Sequence, residues 1–327
     1  MYVSFTLGAL TTNGYCLYPG LAIIQRVELI SGTETIQQFD YAPTTHMCLS
    51  RLSTAQITQV LESAGGTSFA PASGTTGTVI APLPLFFTRF GNPGKIRNAE
   101  YVEPLNNRLV NGKLRLRLTL RSSAALLNST GAGSPSIAAR LYYLTYTVPS
   151  AIQEIHMSNR ESYVYRAYDF VTMSPGTSVA AGTNTTFDLK SLVGSLADLF
   201  ITVTTAASIT ANTYYLTVDE IDFLEIFVDG QSYWRTDQQE SLAFDKWLLS
   251  EVPGKASVIN SPYVVPFEIT RDPAMYTGAL ESNGVTSLSI TLNHSNGGAT
   301  PANVTYAFGS TVNAAIYIEG DSFKRQR

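Results

Sequence analysis

The sequence has little charge and few of the residue types that most protein chemistry requires. Only 14% of its 327 residues are Asp, Glu, Lys or Arg, against roughly a quarter in an average soluble domain, so much of the surface must be neutral. A formal net charge of −4 supplies no chain-wide attraction for nucleic acid, whose binding needs clustered Lys and Arg to displace counterions. Sequence-specific nucleic-acid binding is therefore not expected. Two cysteines, Cys16 and Cys48, are too few for a disulfide framework and lack metal-ligand spacing, so they read as buried free thiols. The three histidines, His46, His156 and His294, share no spacing that would build a metal site. No run of about 18 apolar residues occurs. No basic stretch precedes the apolar residues of MYVSFTLGALTTNG, so neither a membrane span nor a secretory leader is indicated.

Catalytic signatures are missing as well. There is no Gly-x-Ser-x-Gly elbow, no His-Glu-x-x-His and no Gly-x-x-x-x-Gly-Lys-Ser/Thr loop. The string Gly91-Asn92-Pro93-Gly94-Lys95 approaches a phosphate loop but has the wrong spacing and no hydroxyl residue, so it reads as a surface turn. No enzyme activity and no cofactor is expected. Sequons at Asn128, Asn184, Asn293 and Asn303 matter only in a glycosylating host.

What the sequence does contain is period-two alternation of β-branched and aromatic residues, punctuated by Asn-Gly, Asp-Gly and Gly-Gly turns. Leu114, Leu116, Leu118 and Leu120 alternate with Arg115, Arg117, Thr119 and Arg121, which places leucines on one sheet face and polar groups on the other. Further strands are predicted at Arg26–Ile30, Val79–Phe87, Leu141–Val148, Ser162–Phe170, Leu199–Thr205, Tyr214–Val218, Ile221–Val228, Val264–Ile269, Ser287–Leu292 and Ala314–Glu319. Helix is predicted over Thr44–Glu62, broken near Ser53, and over Gln238–Glu251, where Leu242, Phe244, Trp247 and Leu248 form an apolar stripe. Gly-, Ser- and Thr-rich stretches, among them Gly65–Thr78 and Ser174–Thr186, read as loops.

The chain also repeats itself. Val27-Glu28-Leu29-Ile30-Ser31-Gly32 leads through a polar stretch into a helix, and Leu224-Glu225-Ile226-Phe227-Val228-Asp229-Gly230 does the same. Pro82–Phe87 has its counterpart in Pro262–Phe267. Asn111-Gly112 precedes Leu116, Leu118 and Leu120 at the offsets by which Asn283-Gly284 precedes Leu288, Ile290 and Leu292. An Asn-Gly turn fixes hairpin register, so equal offsets predict equivalent inward faces. The halves, 1–150 and 151–327, are expected to be one all-β unit duplicated, with the join near Pro149-Ser150. Eight-stranded jelly rolls suit halves of this length, as do other sandwiches.

This order of elements resembles that of the double jelly-roll major capsid proteins of icosahedral viruses with an internal membrane and of large eukaryotic DNA viruses. The residues that carry the resemblance are Arg26–Gly32 with its following helix, the Pro82–Arg89 strand and the Asn106–Arg121 strand leading into Ser122. In the second half they are Ile221–Arg235, with Asp229-Gly230-Gln231 at the hairpin, and the helix ending near Trp247-Leu248. The resemblance implies an all-β fold of two consecutive eight-stranded jelly-roll β-sandwiches with short helices in loops. It also implies a virion protein made in the host cytoplasm, a homotrimer whose six jelly rolls form a pseudo-hexagonal capsomer. Its partners would be neighbouring capsomers, penton or minor capsid proteins and an internal lipid membrane. The chain is shorter than the large eukaryotic members, which implies small loops and a size nearest to the members from lipid-containing bacterial viruses.

Three groups of residues are set aside as candidate sites. Asp219, Glu220, Asp222, Glu225 and Asp229 form the densest acidic cluster, from which Asp219, Asp222 and Asp229 are the calcium candidates. They interleave with Ile221, Phe223, Ile226 and Val228 as the solvated face of a strand does. A glycosidase pair would need two such carboxylates across a sugar-sized cleft. Arg115, Arg117 and Arg121, with Arg108 and Lys113 nearby, form a basic stripe, either a solvated strand or a face toward headgroups, genome or an acidic neighbour. Lys324, Arg325 and Arg327 at the carboxyl end are the candidates for facing a membrane or genome. The alternatives to a capsid role are a tandem jelly-roll carbohydrate-binding protein and, with least support, a jelly-roll hydrolase.

Overall fold

The fold is that of a computed structural model, which describes all residues except 13, 51, 53, 89, 91–104, 107–108, 111–113, 129–131, 146, 160–163, 174, 206–220, 237–262, 268–278, 295–302 and 327. The first half runs β1 (Tyr2–Gly8), α1 (Pro19–Ala22), β2 (Ile24–Ser31), β3 (Glu34–Asp40), α2 (Tyr41–Ser50), α3 (Thr54–Ser63), β4 (Thr76–Pro82), β5 (Leu114–Leu120) and β6 (Ile137–Tyr142). Two antiparallel sheets result, in the orders β4-β1-β6 and β3-β2-β5. Val3, Phe5 and Leu7 point inward from one, and Val27 and Leu29 from the other. The short α1 lies so close to β4 that a Cβ on Gly20 would stand 2.7 Å from the Ile80 carbonyl oxygen. Only glycine permits that approach.

A helix, α4 (Ser150–Ser158), follows β6. The second half then runs β7 (Val164–Met173), β8 (Ser178–Ala180), β9 (Thr185–Asp188), β10 (Ser195–Thr205), β11 (Ile221–Val228), β12 (Gln231–Thr236), β13 (Tyr263–Pro266), β14 (Leu280–Glu281), β15 (Leu288–His294), β16 (Asn303–Glu319) and β17 (Ser322–Gln326). Its main sheets have the orders β7-β16-β10-β13 and β12-β11-β15-β9. The central paths match those of the first half strand for strand: β10 stands where β1 stands, β11 for β2, β12 for β3, β13 for β4, β15 for β5 and β16 for β6. The duplication expected from the sequence is thus a duplication of topology. The second sandwich has eight main strands, four in each sheet, and the first shows six among the described residues.

The match extends to irregularities. A bulge between Leu29 and Ile30 against β3 recurs between Ile226 and Phe227 against β12. Another between Ile24 and Arg26 against β5 recurs between Ile221 and Phe223 against β15. Leu116 faces Leu29, and Ile290 faces Ile226, so Leu114, Leu116 and Leu118 correspond to Leu288, Ile290 and Leu292. This differs by two residues from the offset read at the Asn-Gly pairs. Because side chains alternate with a period of two, the slip leaves the inward face unchanged. Asn283-Gly284 does form a turn, with the Gly284 N–H donating to the Glu281 carbonyl at 2.9 Å. Asn111-Gly112 lies outside the described residues.

The sandwiches are not merely strung together. β16 is 17 residues long: Val304–Val312 pair with β10, Phe308–Tyr317 with β7, and Ala315–Glu319 with β17. Its Val304, Tyr306, Phe308 and Val312 belong to the second core, whereas Ile316, Ile318 and, from β17, Phe323 are buried in the first. Phe170 of β7 meets Phe39 edge-on with ring centroids 6.0 Å apart. The Phe323 N–H donates to Ser31 Oγ at 3.1 Å, and Lys324 Nζ stands 2.8 Å from a Glu34 carboxylate oxygen.

Several expectations required correction. The strand predicted over Val79–Phe87, and its Pro82–Arg89 version, ends at Pro82. Beyond it Pro84 has no N–H to offer a ladder, and the chain turns, with the Thr88 N–H donating to the Leu85 carbonyl at 2.8 Å. The last strand of the first half is Ile137–Tyr142 and not Leu141–Val148, because its pairing with β1 falls on Leu7 through Tyr2. Thr76–Thr78 and Ser178–Thr186, read as loop, supply the start of β4, all of β8 and the start of β9. The helix predicted over Thr44–Glu62 is two helices, α2 ending at Ser50 and α3 beginning at Thr54, on either side of the break expected near Ser53. Tyr214–Val218 and Gln238–Glu251 lie outside the described residues.

Two outcomes follow from this packing. Phe323→Ala, which empties a fully buried site, is expected to cost about 3–5 kcal/mol, measured by equilibrium denaturation. Cys16 and Cys48 are both buried and unbridged, and burial pushes the Cys16 thiol up from its ordinary 9.0 to about 12. The folded chain then holds a proton that the unfolded chain releases near pH 9, so stability is full below that pH and declines as pH rises from about 9 to 12. Denaturation midpoints across this range should fall less steeply in Cys16→Ala.

Candidate functional site

Among the described residues, exposed large apolar side chains concentrate in the stretch from β6 through α4. Tyr142 stacks on Tyr2 with ring centroids 5.0 Å apart and planes 15° apart. Beyond it the chain leaves the sheet, and Tyr143 and Leu144 are 64% and 75% exposed. In α4, Ile152, Ile155 and Met157 are exposed too, and none of the helix's residues is buried. Two side-chain contacts tie the helix to its surroundings. The Gln153 side chain donates to the Val148 carbonyl, and His156 Nδ1 lies 3.2 Å from Asn106 Nδ2 of the first sandwich. Exposed apolar and aromatic residues gathered in one stretch of chain are the kind of surface by which proteins meet partners. The sequence reading missed it by assigning Leu141–Val148 to a strand. Its one available signal was Pro149-Ser150 followed by Ile152 and Ile155 at helical spacing.

The acidic candidates are described only in part. Asp219 and Glu220 lie outside the described residues. Asp222 and Glu225 are on β11, where a Glu225 carboxylate oxygen is 4.0 Å from Arg235 Nη1, and the Arg235 guanidinium lies 5.6 Å from the Phe223 ring centre. Asp229, at φ 50, forms the β11–β12 turn with Gly230. Its Oδ1 accepts the Thr286 N–H at 2.5 Å and the Ser287 N–H at 3.0 Å, tying that turn to the start of β15. This carboxylate serves the hairpin. Among the described residues no group of three or more His, Cys, Asp or Glu stands together as a metal site.

The basic candidates are similarly engaged. Arg115 Nη2 donates to the Gly32 carbonyl at 2.6 Å, and Arg117 Nη1 is 3.4 Å from a Glu28 carboxylate oxygen, both across the β2–β5 ladder. Arg108, Lys113 and Arg327 lie outside the described residues. Lys324 and Arg325 are in β17 and not in a free tail. Lys324 pairs with Glu34, which raises its pKa through that hydrogen bond and charge, and the Arg325 N–H donates to Glu34 at 3.4 Å. His294 is fully buried with Nδ1 2.8 Å from the Tyr306 hydroxyl, a contact inside the second core. Among the described residues no helix is long and apolar enough to cross a membrane.

The sequence matches no protein-family model and no curated protein. Solved structures do match. PBCV-1 VP54, in a crystal structure fitted into a cryo-EM reconstruction of the virophage Sputnik, aligns over 100% of this chain and 89% of its own, with 11% identity and a TM-score of 0.71. The quasi-atomic model of the PBCV-1 virus capsid aligns over 98% and 88%, with 12% identity and a TM-score of 0.66. The mavirus major capsid protein aligns over 99% and 83%, with 12% identity and a TM-score of 0.52. At such identities the likeness is one of fold, and it spans both sandwiches: the chain is a double jelly roll.

Proposed function

We propose that this chain is a viral major capsid protein, with a structural and not a catalytic role. The observation that carries this reading is the duplication, two sandwiches of one topology fused by a shared strand. Three copies around a threefold axis would present six near-equivalent blocks, so that one kind of subunit fills a hexagonal layer through closed, repeating contacts. The alignment of capsid structures over nearly the whole chain supports the reading. So does a surface with little charge, where neighbours need desolvate few ions.

In this reading the homotrimer is a pseudo-hexagonal capsomer of an icosahedral shell. Neighbouring capsomers meet it at its sides, penton or minor capsid proteins at the vertices, and a lipid membrane lies inside. The protein is made in the host cytoplasm and resides in the virion. The strip formed by Tyr143, Leu144, Ile152 and Ile155 is the subunit contact best suited by its chemistry, since aromatic and large aliphatic groups dominate interface cores.

Sedimentation velocity of the purified protein at micromolar concentration should give a species three times the 35.4 kDa chain mass. Tyr143→Asp combined with Leu144→Asp should shift it toward monomer while leaving the circular dichroism spectrum intact. Only monomers for the unsubstituted protein would overturn the proposal.

A further inference from the structure

Within one chain the two halves meet in a packed joint. β3 of the first half carries Ile36 and Phe39, 1% and 3% exposed, and they share a core with Phe170 of β7, Ile316 and Ile318 of β16, and Phe323 of β17. The two β16 residues lie where that strand runs on past its last partner on β10, Leu196 opposite Val312. Duplication supplies a second version of each side of this joint. β12 is the counterpart of β3, and in both hairpins a bulge leaves one residue unmatched across the ladder. It is Ile36 in the first, between Leu29 opposite Gln37 and Ile30 opposite Thr35. It is Tyr233 in the second, between Ile226 opposite Trp234 and Phe227 opposite Ser232. Ile36 is buried, whereas Tyr233 is 50% exposed and leans on Phe267 with ring centroids 5.5 Å apart. β6 is the counterpart of β16 and also leads past its last partner, Tyr142 opposite Tyr2. There Tyr143 and Leu144 stand in water, although Ile316 and Ile318 in the corresponding stretch are buried.

We propose that Tyr233 of one copy of this chain, and Tyr143 with Leu144 of a second copy, are the two sides of a joint between copies. The β12 hairpin receives its neighbour's chain beyond β6 as the β3 hairpin receives the far end of β16 within the chain. Large apolar groups stand in water at two places whose counterparts are buried against each other, and bringing the two together removes both from water at once. The two surfaces differ, so the contact is head-to-tail, and one rotation repeated closes it into a ring. A twofold dimer through Tyr143 and Leu144 would set them against themselves and leave Tyr233 wet. Thr236, which stands where Phe39 stands, is itself buried, so Tyr233 is the anchor on its side of the joint. This inference rests on the capsid reading and goes further by naming which surface of one subunit meets which surface of the next.

Cross-linking of the full chain carrying both Leu144→Cys and Tyr233→Cys tests the pairing, because Cys16 and Cys48 are buried and unbridged. With a short bismaleimide at micromolar protein, the double variant should give covalent dimers and trimers on a denaturing gel. Each single variant should stay monomeric on that gel. In sedimentation, Leu144→Asp and Tyr233→Lys should each weaken assembly by roughly thirtyfold or more, with the circular dichroism spectrum intact because both positions are exposed. The two substitutions together should restore part of the loss by setting opposite charges across the joint. Trimers that survive both single substitutions, with no cross-link in the cysteine double variant, would overturn this joint and leave the capsid reading standing. Cross-linking of Leu144→Cys alone would overturn it in favour of a contact between like surfaces. Unsubstituted protein that sediments only as monomer would overturn the capsid reading itself, and the joint with it.

Discussion

The register of β2 on β5, and its copy of β11 on β15, decides which side chains each sandwich buries. A one-residue slip in either ladder would turn a row of leucines and isoleucines outward and bring arginines or threonines into the core. The two bulges in β2 and the two in β11 hold that register at both ends of the strand and add local twist, so that each sheet curves over its partner. Everything placed by these ladders depends on them: the hairpin turns, the helices that follow β3, and the outward arginines that pair across to Glu28 and Gly32.

Recurrence of the bulges at corresponding residues is a stronger sign of duplication than the apolar pattern. Many unrelated strands alternate apolar and polar residues, but a bulge is a departure from the regular ladder with a position of its own. Two such departures in one strand, repeated in the corresponding strand of the other half, indicate one backbone plan used twice. Sequence has drifted over that plan. Gly32 forms the first hairpin turn, and Asp229-Gly230 forms the second with a carboxylate that also anchors β15.

How much could be read beforehand varied with the local physics. The leucine alternation of β5 was legible because one face of the strand is apolar, and the helix before Glu62 because its later part, α3, buries Ile57 and Leu61 and exposes Gln56, Gln59 and Glu62. β6 was not: Ile137-Ala138-Ala139-Arg140 carries no alternation, and its strand state comes from pairing with β1. β17 was hidden by Lys324 and Arg325, whose charges suggested a solvated tail although Phe323 between them and the turn is buried. The exposed strip was hard to read because exposed and core aromatic residues look the same in a sequence, although Pro149-Ser150 ahead of Ile152 and Ile155 did signal its helix. The charged clusters were visible, but spacing could not reveal that Asp229 bonds to backbone amides or that Lys324 reaches Glu34.

β16 has a mechanical meaning beyond its packing. Its nine residues beside β10 lie in one core, its far end lies in the other, and β7 runs alongside across the boundary. A force that pulls the two blocks apart along this strand loads many ladder hydrogen bonds in parallel, in shear, and does not peel them one at a time. The pair of blocks should therefore resist extension along β16 as one beam and yield more readily to a twist that opens the short β16–β17 hairpin. In a molecule built from two similar halves, stiffness is directional, and its stiff axis is a single strand.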